Sequence, residues 1–254
     1  GVTKFSQVSV FSGFNQPKDI SMDGRYETLC GITQEELESY FAEAIVAMAA
    51  KRKYGVEEIK QLLKRQYDGY HFGEELVDVY NPFSLLNAFD SMRIQDYWFQ
   101  SGTPTYLIRL LNHARENLDE LTGQYYDPRE FVDYKADVEK PLPMIYQSGY
   151  LTIKDYNVRR NTFLLDFPNN EVKSGFLTMI ASDYLKPKSS VNNWVLDVVD
   201  ALESGDTEQF RVLLTSFLSD IPYTMRRKEN ERERERYFHY TFYLLMRLVS
   251  VYTV

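Results

Sequence analysis

Apolar residues recur every three or four positions through most of the chain, which is the spacing of amphipathic helices. Thr33-Gln34-Glu35-Glu36 matches a capping box, so we expect a helix to begin there and to continue to about Arg52. Its apolar face comprises Leu37, Tyr40, Phe41, Ala44, Ile45 and Met48. Gly55 ends this pattern, and a second helix is expected from Val56 to the break at Tyr67-Asp68-Gly69-Tyr70.

Three prolines follow residues that cap helices well. The pairs are Asn81-Pro82, Thr103-Pro104 and Asp127-Pro128. Each pair predicts a helix start, because the first side chain accepts hydrogen bonds from early amides and proline needs no donor at the first helical position. Further along, Val191–Leu202 and Glu208–Leu218 predict a helical hairpin, with Gly205 ending its first helix.

Pro141–Ile180 is the stretch around which the rest of the chain is organised. A short helix is expected to end at Gly149, and Asn169 or Asn170 is expected to cap a later helix. Between them lie two strand-like runs and a polar turn: Tyr150–Lys154, Asn161–Phe167 and Asp155–Arg160. Helix, hairpin and helix in this order favour a winged helix over the alternative, a corner of a larger helical core.

Both ends of the chain suggest a piece of a longer protein. Gly1–Phe11 alternates apolar and polar residues and suits one or two strands, yet no initiator methionine precedes it. Glu229–Arg236 alternates acidic and basic residues and predicts a solvated linker helix. Phe238–Val254 is apolar on nearly every side and becomes strand-like from Val249, so we expect it to need covering surfaces. The alternative is a native end packed into the core.

Composition favours a soluble, globular, cytoplasmic protein. The 254 residues carry a net charge of −8, contain one cysteine, Cys30, and show no membrane span or signal peptide. An acidic chain of this kind needs a local basic patch to bind nucleic acid. Its three histidines, His71, His113 and His239, are far apart and are interpreted as surface or hydrogen-bonded residues.

The common catalytic motifs are missing from the sequence. No glycine is followed by lysine, so there is no P-loop to bind nucleotide phosphates. Glu58-Ile59-Lys60 and Glu171-Val172-Lys173 match the Glu-x-Lys spacing of metal-dependent nucleases, but both lie on predicted helices and are interpreted as solvated faces. We therefore expect neither a catalytic residue nor a metal site within this chain.

Six ordered motifs resemble the AAA-ATPase-like family, whose members are common in gut Bacteroidetes and usually carry a C-terminal PD-(D/E)XK nuclease domain. The motifs are Gly1-Val2-Thr3-Lys4-Phe5-Ser6, Phe11-Ser12-Gly13-Phe14-Asn15, Tyr67-Asp68-Gly69-Tyr70-His71-Phe72, Tyr80-Asn81-Pro82-Phe83-Ser84, Ser101-Gly102-Thr103-Pro104-Thr105-Tyr106-Leu107 and Tyr146-Gln147-Ser148-Gly149-Tyr150-Leu151-Thr152-Ile153. Together they cover nearly the whole chain.

The resemblance implies a mainly α fold with a small β part. The implied divisions are 1–30, the end of a P-loop ATPase core; 31–126, a helical lid; 127–187, a winged-helix-like module; 188–228, a helical connector; and 229–254, the start of a nuclease-like domain. ATP and Mg²⁺ would be bound by the parent protein and not by this chain. The implied partners are the ATPase core before Gly1 and the nuclease-like domain after Val254.

Resemblance also suggests which residues touch ligands. Thr3 and Lys4 fall near a phosphate-sensing position, and Gly102 and Pro104 resemble a turn beside adenine. Three cationic residues on or near the wing, Lys154, Arg159 and Arg160, are candidates for nucleic-acid phosphates. Two other functions remain open, namely a freestanding protein-interaction module and a winged-helix DNA-binding regulator.

Overall fold

Helices make up most of the described part of the molecule, as the apolar spacing predicts. The computed structural model describes residues 20–98, 121–132, 141–185, 191–220 and 231–252. Within these ranges a three-stranded antiparallel sheet accompanies the helices. The α+β class is therefore confirmed. None of the described helices is both long enough and apolar enough to cross a membrane.

The helical region, residues 20–98, has its own apolar core. Its helices are α1 (Gln34–Tyr40), α2 (Ala42–Arg52), α3 (Val56–Tyr67) and α4 (Pro82–Ser91). Leu37, Ile59 and Leu85 are among the side chains that this core removes fully from solvent. The helix starts predicted at Thr33 and Asn81 are confirmed, because both side chains accept hydrogen bonds from the first turn.

The prediction of one helix to Arg52 was wrong in one respect. Phe41 leaves helical geometry, with φ −116° and ψ 13°, and separates α1 from α2. This break changes which residues face the core. Tyr40, placed on the apolar face by a continuous helix, is instead 79% exposed.

The sheet follows the helical region in sequence. Its strands are β1 (Gln124–Tyr126), β2 (Thr152–Asn157) and β3 (Thr162–Asp166). Two short helices, α5 (Pro128–Phe131) and α6 (Leu142–Gln147), come between β1 and β2 in the described sequence. Spatial order is β1-β3-β2, with β3 antiparallel to both neighbours. The short helix, its end at Gly149 (φ 80°) and the hairpin are confirmed, whereas β1 was not predicted. Strand β2 also extends to Asn157, which shortens the expected turn.

A β-bulge interrupts β2. Ile153 pairs with Leu165 and Asp155 with Leu164, which leaves Lys154 as the extra residue without a partner in β3. Such a bulge twists the strand locally and redirects the side chain of the extra residue. The alternation expected of a regular strand therefore fails at Lys154.

Helices continue to the end of the described chain. They are α7 (Asn170–Leu185), α8 (Val191–Glu203), α9 (Thr207–Asp220) and α10 (Glu231–Tyr252). Asn169 caps α7 by accepting from Val172 N at 3.1 Å, and the helical hairpin of α8 and α9 is confirmed. The strand predicted from Val249 was wrong as far as Tyr252, since α10 remains helical there.

The chain divides into two compact units, Gly1–Lys173 and Ser174–Val254. In the second unit, α8 buries Trp194 and Val198, and it packs against both α9 and α10. The first unit contains the helical region, the sheet and the beginning of α7.

Candidate functional site: a polar junction in the first unit

The loop between α3 and α4, Asp68–Tyr80, is shaped to approach the sheet. Gly69 has φ 92°, and a β-carbon there would lie 2.5 Å from the carbonyl oxygen of Pro168. Two backbone hydrogen bonds between Tyr70 and Val79, of 3.3 and 3.1 Å, close the loop. Glycine is therefore needed for both the backbone conformation and the close contact.

Thr152 of β2 binds the backbone of His71 twice. The His71 N–H donates to Thr152 Oγ1 at 2.8 Å, and the same hydroxyl donates to the His71 carbonyl at 2.9 Å. Thr152 is 2% exposed, so water does not compete freely for these bonds. These two hydrogen bonds connect the loop to β2 much as the backbone of a neighbouring strand would.

The imidazole of His71 extends the connection. Nδ1 lies 2.6 Å from the carbonyl oxygen of Ile153, and Nε2 lies 2.7 Å from Asp78 Oδ1. The ring therefore lies between β2 and the far end of its own loop, and both of its nitrogens contact acceptor oxygens of the fold. This arrangement gives His71 a structural role in the connection. The prediction of a hydrogen-bonded histidine is confirmed for His71.

Lys64 adds charge on the outer side of the loop. Its Nζ lies 2.8 Å from Asp68 Oδ2 and 3.3 Å from Asp78 Oδ2. Burial alone would raise the pKa of Asp78, but the hydrogen bond from His71 and the charge of Lys64 outweigh burial and lower it. For Asp68, which is 3% exposed, burial dominates and raises the pKa.

The contacts between the Asp68–Tyr80 loop and residues 152–154 of β2 form a polar junction, and Lys154 lies on its inner side. Its Nζ donates to the carbonyl of Gly69 at 2.7 Å and to that of Pro168 at 2.9 Å, while burial lowers the pKa of the ammonium group. The predicted phosphate contact by Lys154 does not fit this geometry, because the bulge directs the side chain into the fold. Lys154 instead joins three backbone segments.

The other predicted ligand contacts are not brought together by the described structure. Arg159 and Arg160 are exposed in the turn between β2 and β3. Thr3, Lys4, Gly102 and Pro104 lie outside the described residues, and so does the predicted helix start at Thr103-Pro104.

The two Glu-x-Lys matches lie on helices, as predicted, but their surroundings differ. Glu58 is exposed on α3. Glu171 is 0% exposed on α7 and accepts from the amides of Tyr97 and Trp98, so its interpretation as a solvated residue was wrong. Among the described residues, no three His, Cys, Asp or Glu side chains are grouped to bind a metal.

An apolar groove runs between α9 and α10 in the second unit. It has a volume of about 860 Å³, and its walls include Leu214, Leu218, Phe238 and Phe242. His239 and Arg247 lie beside these apolar walls. The groove is large enough for a small apolar ligand or part of a partner helix.

Comparison with known proteins finds a relative of unknown function. The chain is 31% identical over 245 residues to an uncharacterized protein in the vnfD 5′ region of Azotobacter chroococcum mcd 1. The match covers 96% of this chain but 45% of the relative, so the chain spans less than half of that protein's length. No family model matches the chain, and no solved structure matches it either.

Proposed function

We propose that this chain is the non-catalytic coupling region of an AAA-type ATPase fused to a PD-(D/E)XK nuclease-like domain. In this proposal, the helical region is a lid, residues around the sheet form a winged-helix-like module, and the later helices connect to the nuclease-like domain. Nucleotide bound by the parent protein would move the lid, and the module would transmit or respond to that movement.

The sheet supports the winged-helix part of the proposal. Two helices, α5 and α6, lie between β1 and the β2-β3 hairpin, and β3 occupies the centre of the sheet. A helical pair followed by a hairpin that completes a three-stranded sheet fits a winged helix, with residues 158–161 as the tip of the wing.

The polar junction is the observation that carries the coupling proposal. Thr152, Ile153 and Lys154 are consecutive in β2, and each contacts the Asp68–Tyr80 loop of the helical region. The two bonds between Thr152 and the His71 backbone join neutral groups and contribute about 0.5–1.5 kcal/mol each, whereas the bond from the Lys154 ammonium to the Gly69 carbonyl contributes about 1.5–3 kcal/mol. Together these bonds make the loop and β2 move together, which is what transmission of a lid movement requires.

Nucleotide binding by the parent and by this chain, measured side by side, tests the proposal. We expect the parent to bind ATP with Mg²⁺ and this chain alone not to bind it, because the chain has no P-loop. The proposal fails if the parent lacks a P-loop and does not bind ATP, or if this chain binds ATP and Mg²⁺ as tightly as the parent.

A winged-helix DNA-binding regulator is a second candidate function. Two adjacent arginines, Arg159 and Arg160, are exposed at the tip of the hairpin and are suitable for phosphate contacts. Against it, α6 (Leu142–Gln147) contains no charged residue, although a helix that reads a DNA groove usually relies on polar and basic side chains.

A labelled-duplex shift assay at low salt separates this candidate from the coupling proposal. DNA binding that is lost in Arg159→Ala/Arg160→Ala, and retained in the equally charged control Lys51→Ala/Arg65→Ala, supports a DNA-binding wing. No shift at low salt counts against it and leaves the wing as a surface for a protein partner.

A further inference from the structure

The Asp68–Tyr80 loop has a second set of contacts, with residues 20–32, which precede α1. Ile32 and Tyr80 form an antiparallel bridge, with hydrogen bonds of 3.2 and 2.8 Å between their backbones. A β-carbon at Gly31 would lie 2.3 Å from the β-carbon of Val79, so the two segments are too close for a side chain at this position. The base of the loop is therefore fixed to the segment before α1.

Glu27 holds the tip of the same loop, residues 73–77. It is 2% exposed; its Oε1 accepts from the amide of Glu75 at 3.3 Å, and its Oε2 accepts from the amide of Val77 at 3.4 Å. Gly73 makes room for the carboxylate, because a β-carbon there would lie 1.8 Å from Glu27 Oε1. Both oxygens of a buried carboxylate are thus engaged by the backbone of the tip.

The backbone of the tip depends on such a contact. Leu76, which lies between the two residues whose amides bind Glu27, has φ 53°. Residues other than glycine rarely adopt a positive φ, and they keep it where surrounding contacts impose it. We therefore expect the tip to relax when the Glu27 carboxylate is removed.

The tip lies between the groups that connect the loop to β2. His71 Nε2 and Asp78 Oδ1 are 2.7 Å apart, and residues 73–77 are part of the short stretch of chain between them. The His71 amide donates to Thr152 Oγ1 at 2.8 Å. Relaxation of the tip therefore displaces the residues that bind β2.

We propose that Glu27 is a positioning residue for the polar junction. By holding the tip, it keeps His71 in place for its contacts with Thr152, and so links residues 20–32 to β2. This inference deepens the coupling proposal and rests on it for the use of the link in the parent protein, where movement of residues 20–32 would reach the sheet by this route. The link itself is tested in this chain without nucleotide, so it can fail while the nucleotide-binding test of the coupling proposal succeeds, and the reverse.

Amide hydrogen exchange in this chain, followed by NMR, tests the link. Glu27→Gln keeps the size of the side chain but removes its charge and one of its two acceptor oxygens. We expect faster exchange at the Glu75 and Val77 amides, and exchange at least about threefold faster at the His71 amide. Rates are compared with that of Leu63, a buried residue of α3, so that opening of the whole helical region is not counted.

Two further variants separate this role from local support of the tip. Glu74→Gln alters an exposed carboxylate of the same loop and should leave exchange at His71 unchanged. Thr152→Val removes the hydroxyl that binds His71, and because coupling is reciprocal it should speed exchange at the two tip amides. This second measurement remains decisive if Glu27→Gln does not fold.

Three results would overturn the proposal. The first is unchanged exchange at His71 in Glu27→Gln, which would limit Glu27 to the tip. The second is an equal effect of Glu74→Gln on His71, and the third is unchanged exchange at the tip amides in Thr152→Val.

Discussion

Lys154→Met tests the junction most simply. Methionine retains most of the apolar stem of lysine and can fill the same space, but it cannot donate a hydrogen bond. The carbonyls of Gly69 and Pro168 lose their shared donor, since both accept from Lys154 Nζ in the native fold. The substitution therefore removes the polar connection without opening a large cavity.

The expected loss is about 2–3 kcal/mol in the free energy of unfolding of the first unit. Hydrogen bonds to a charged group contribute about 1.5–3 kcal/mol each, so two bonds set an upper range of about 3–6 kcal/mol. Relief from holding a half-buried cation offsets part of this sum, as the lowered pKa of Lys154 indicates. A loss of about 2 kcal/mol corresponds to roughly a thirtyfold change in the unfolding equilibrium.

Urea denaturation followed by Trp98 fluorescence in a Trp194→Phe background measures this effect in the first unit. Arg159→Met is the matched control, because it removes a positive charge from the exposed turn of the same hairpin and should change stability by less than about 0.5 kcal/mol. The reasoning is refuted if Lys154→Met is as stable as the unsubstituted chain, or if Arg159→Met costs as much.

Three further predictions use the same denaturation assay. Gly69→Ala should destabilise the first unit far more than Gly123→Ala, although both glycines have positive φ. A β-carbon at Gly69 would lie 2.5 Å from a carbonyl oxygen, whereas one at Gly123 would have nothing within 4 Å. Equal losses of stability would contradict the close approach at Gly69. Asn81→Ala should cost about 1 kcal/mol through loss of the helix cap, whereas Asn87→Ala on the same helix should not destabilise it. Asp78→Asn should lower the free energy of unfolding by less than about 1 kcal/mol at neutral pH, since the Asp78 side chain is partly exposed. The stability difference between variant and unsubstituted chain should vanish as pH falls below 3.8 and through the lowered pKa of Asp78. A difference that persists in acid would exclude the charge of Asp78 as its cause.

Local chemistry made several helix boundaries predictable from sequence. Thr33, Asn81 and Asp127 are caps whose side chains bond the next few amides, so the information lies within four residues. The break at Phe41 was not predictable in this way, because apolar residues on both sides continue a helical pattern. The ring of Phe41 stacks on that of Phe89, with centroids 5.3 Å apart, and the local sequence does not indicate this partner.

The junction could be predicted only in part. The motif Tyr67–Phe72 was noticed as a family-like sequence, but nothing in it indicated β2 as a partner 81 residues away. Lys154 was expected on or near the wing, and nothing in the sequence indicates the bulge that places it without a partner in β3 and beside the carbonyls of Gly69 and Pro168. Glu171 was misjudged because carboxylates are rarely buried, although Ser174 and Gly175, three and four residues later, provide a small-residue face on which close packing is possible.

Hydrogen exchange of β2 in the parent protein, with and without ATP and Mg²⁺, tests the coupling claim most directly. We expect nucleotide to change protection of the Thr152–Asn157 amides, and we expect Thr152→Val/Lys154→Met to remove that response while nucleotide affinity stays within about twofold. A parent that binds nucleotide without any response in β2, or a response that persists in the double variant, would contradict the claim that this junction transmits the movement.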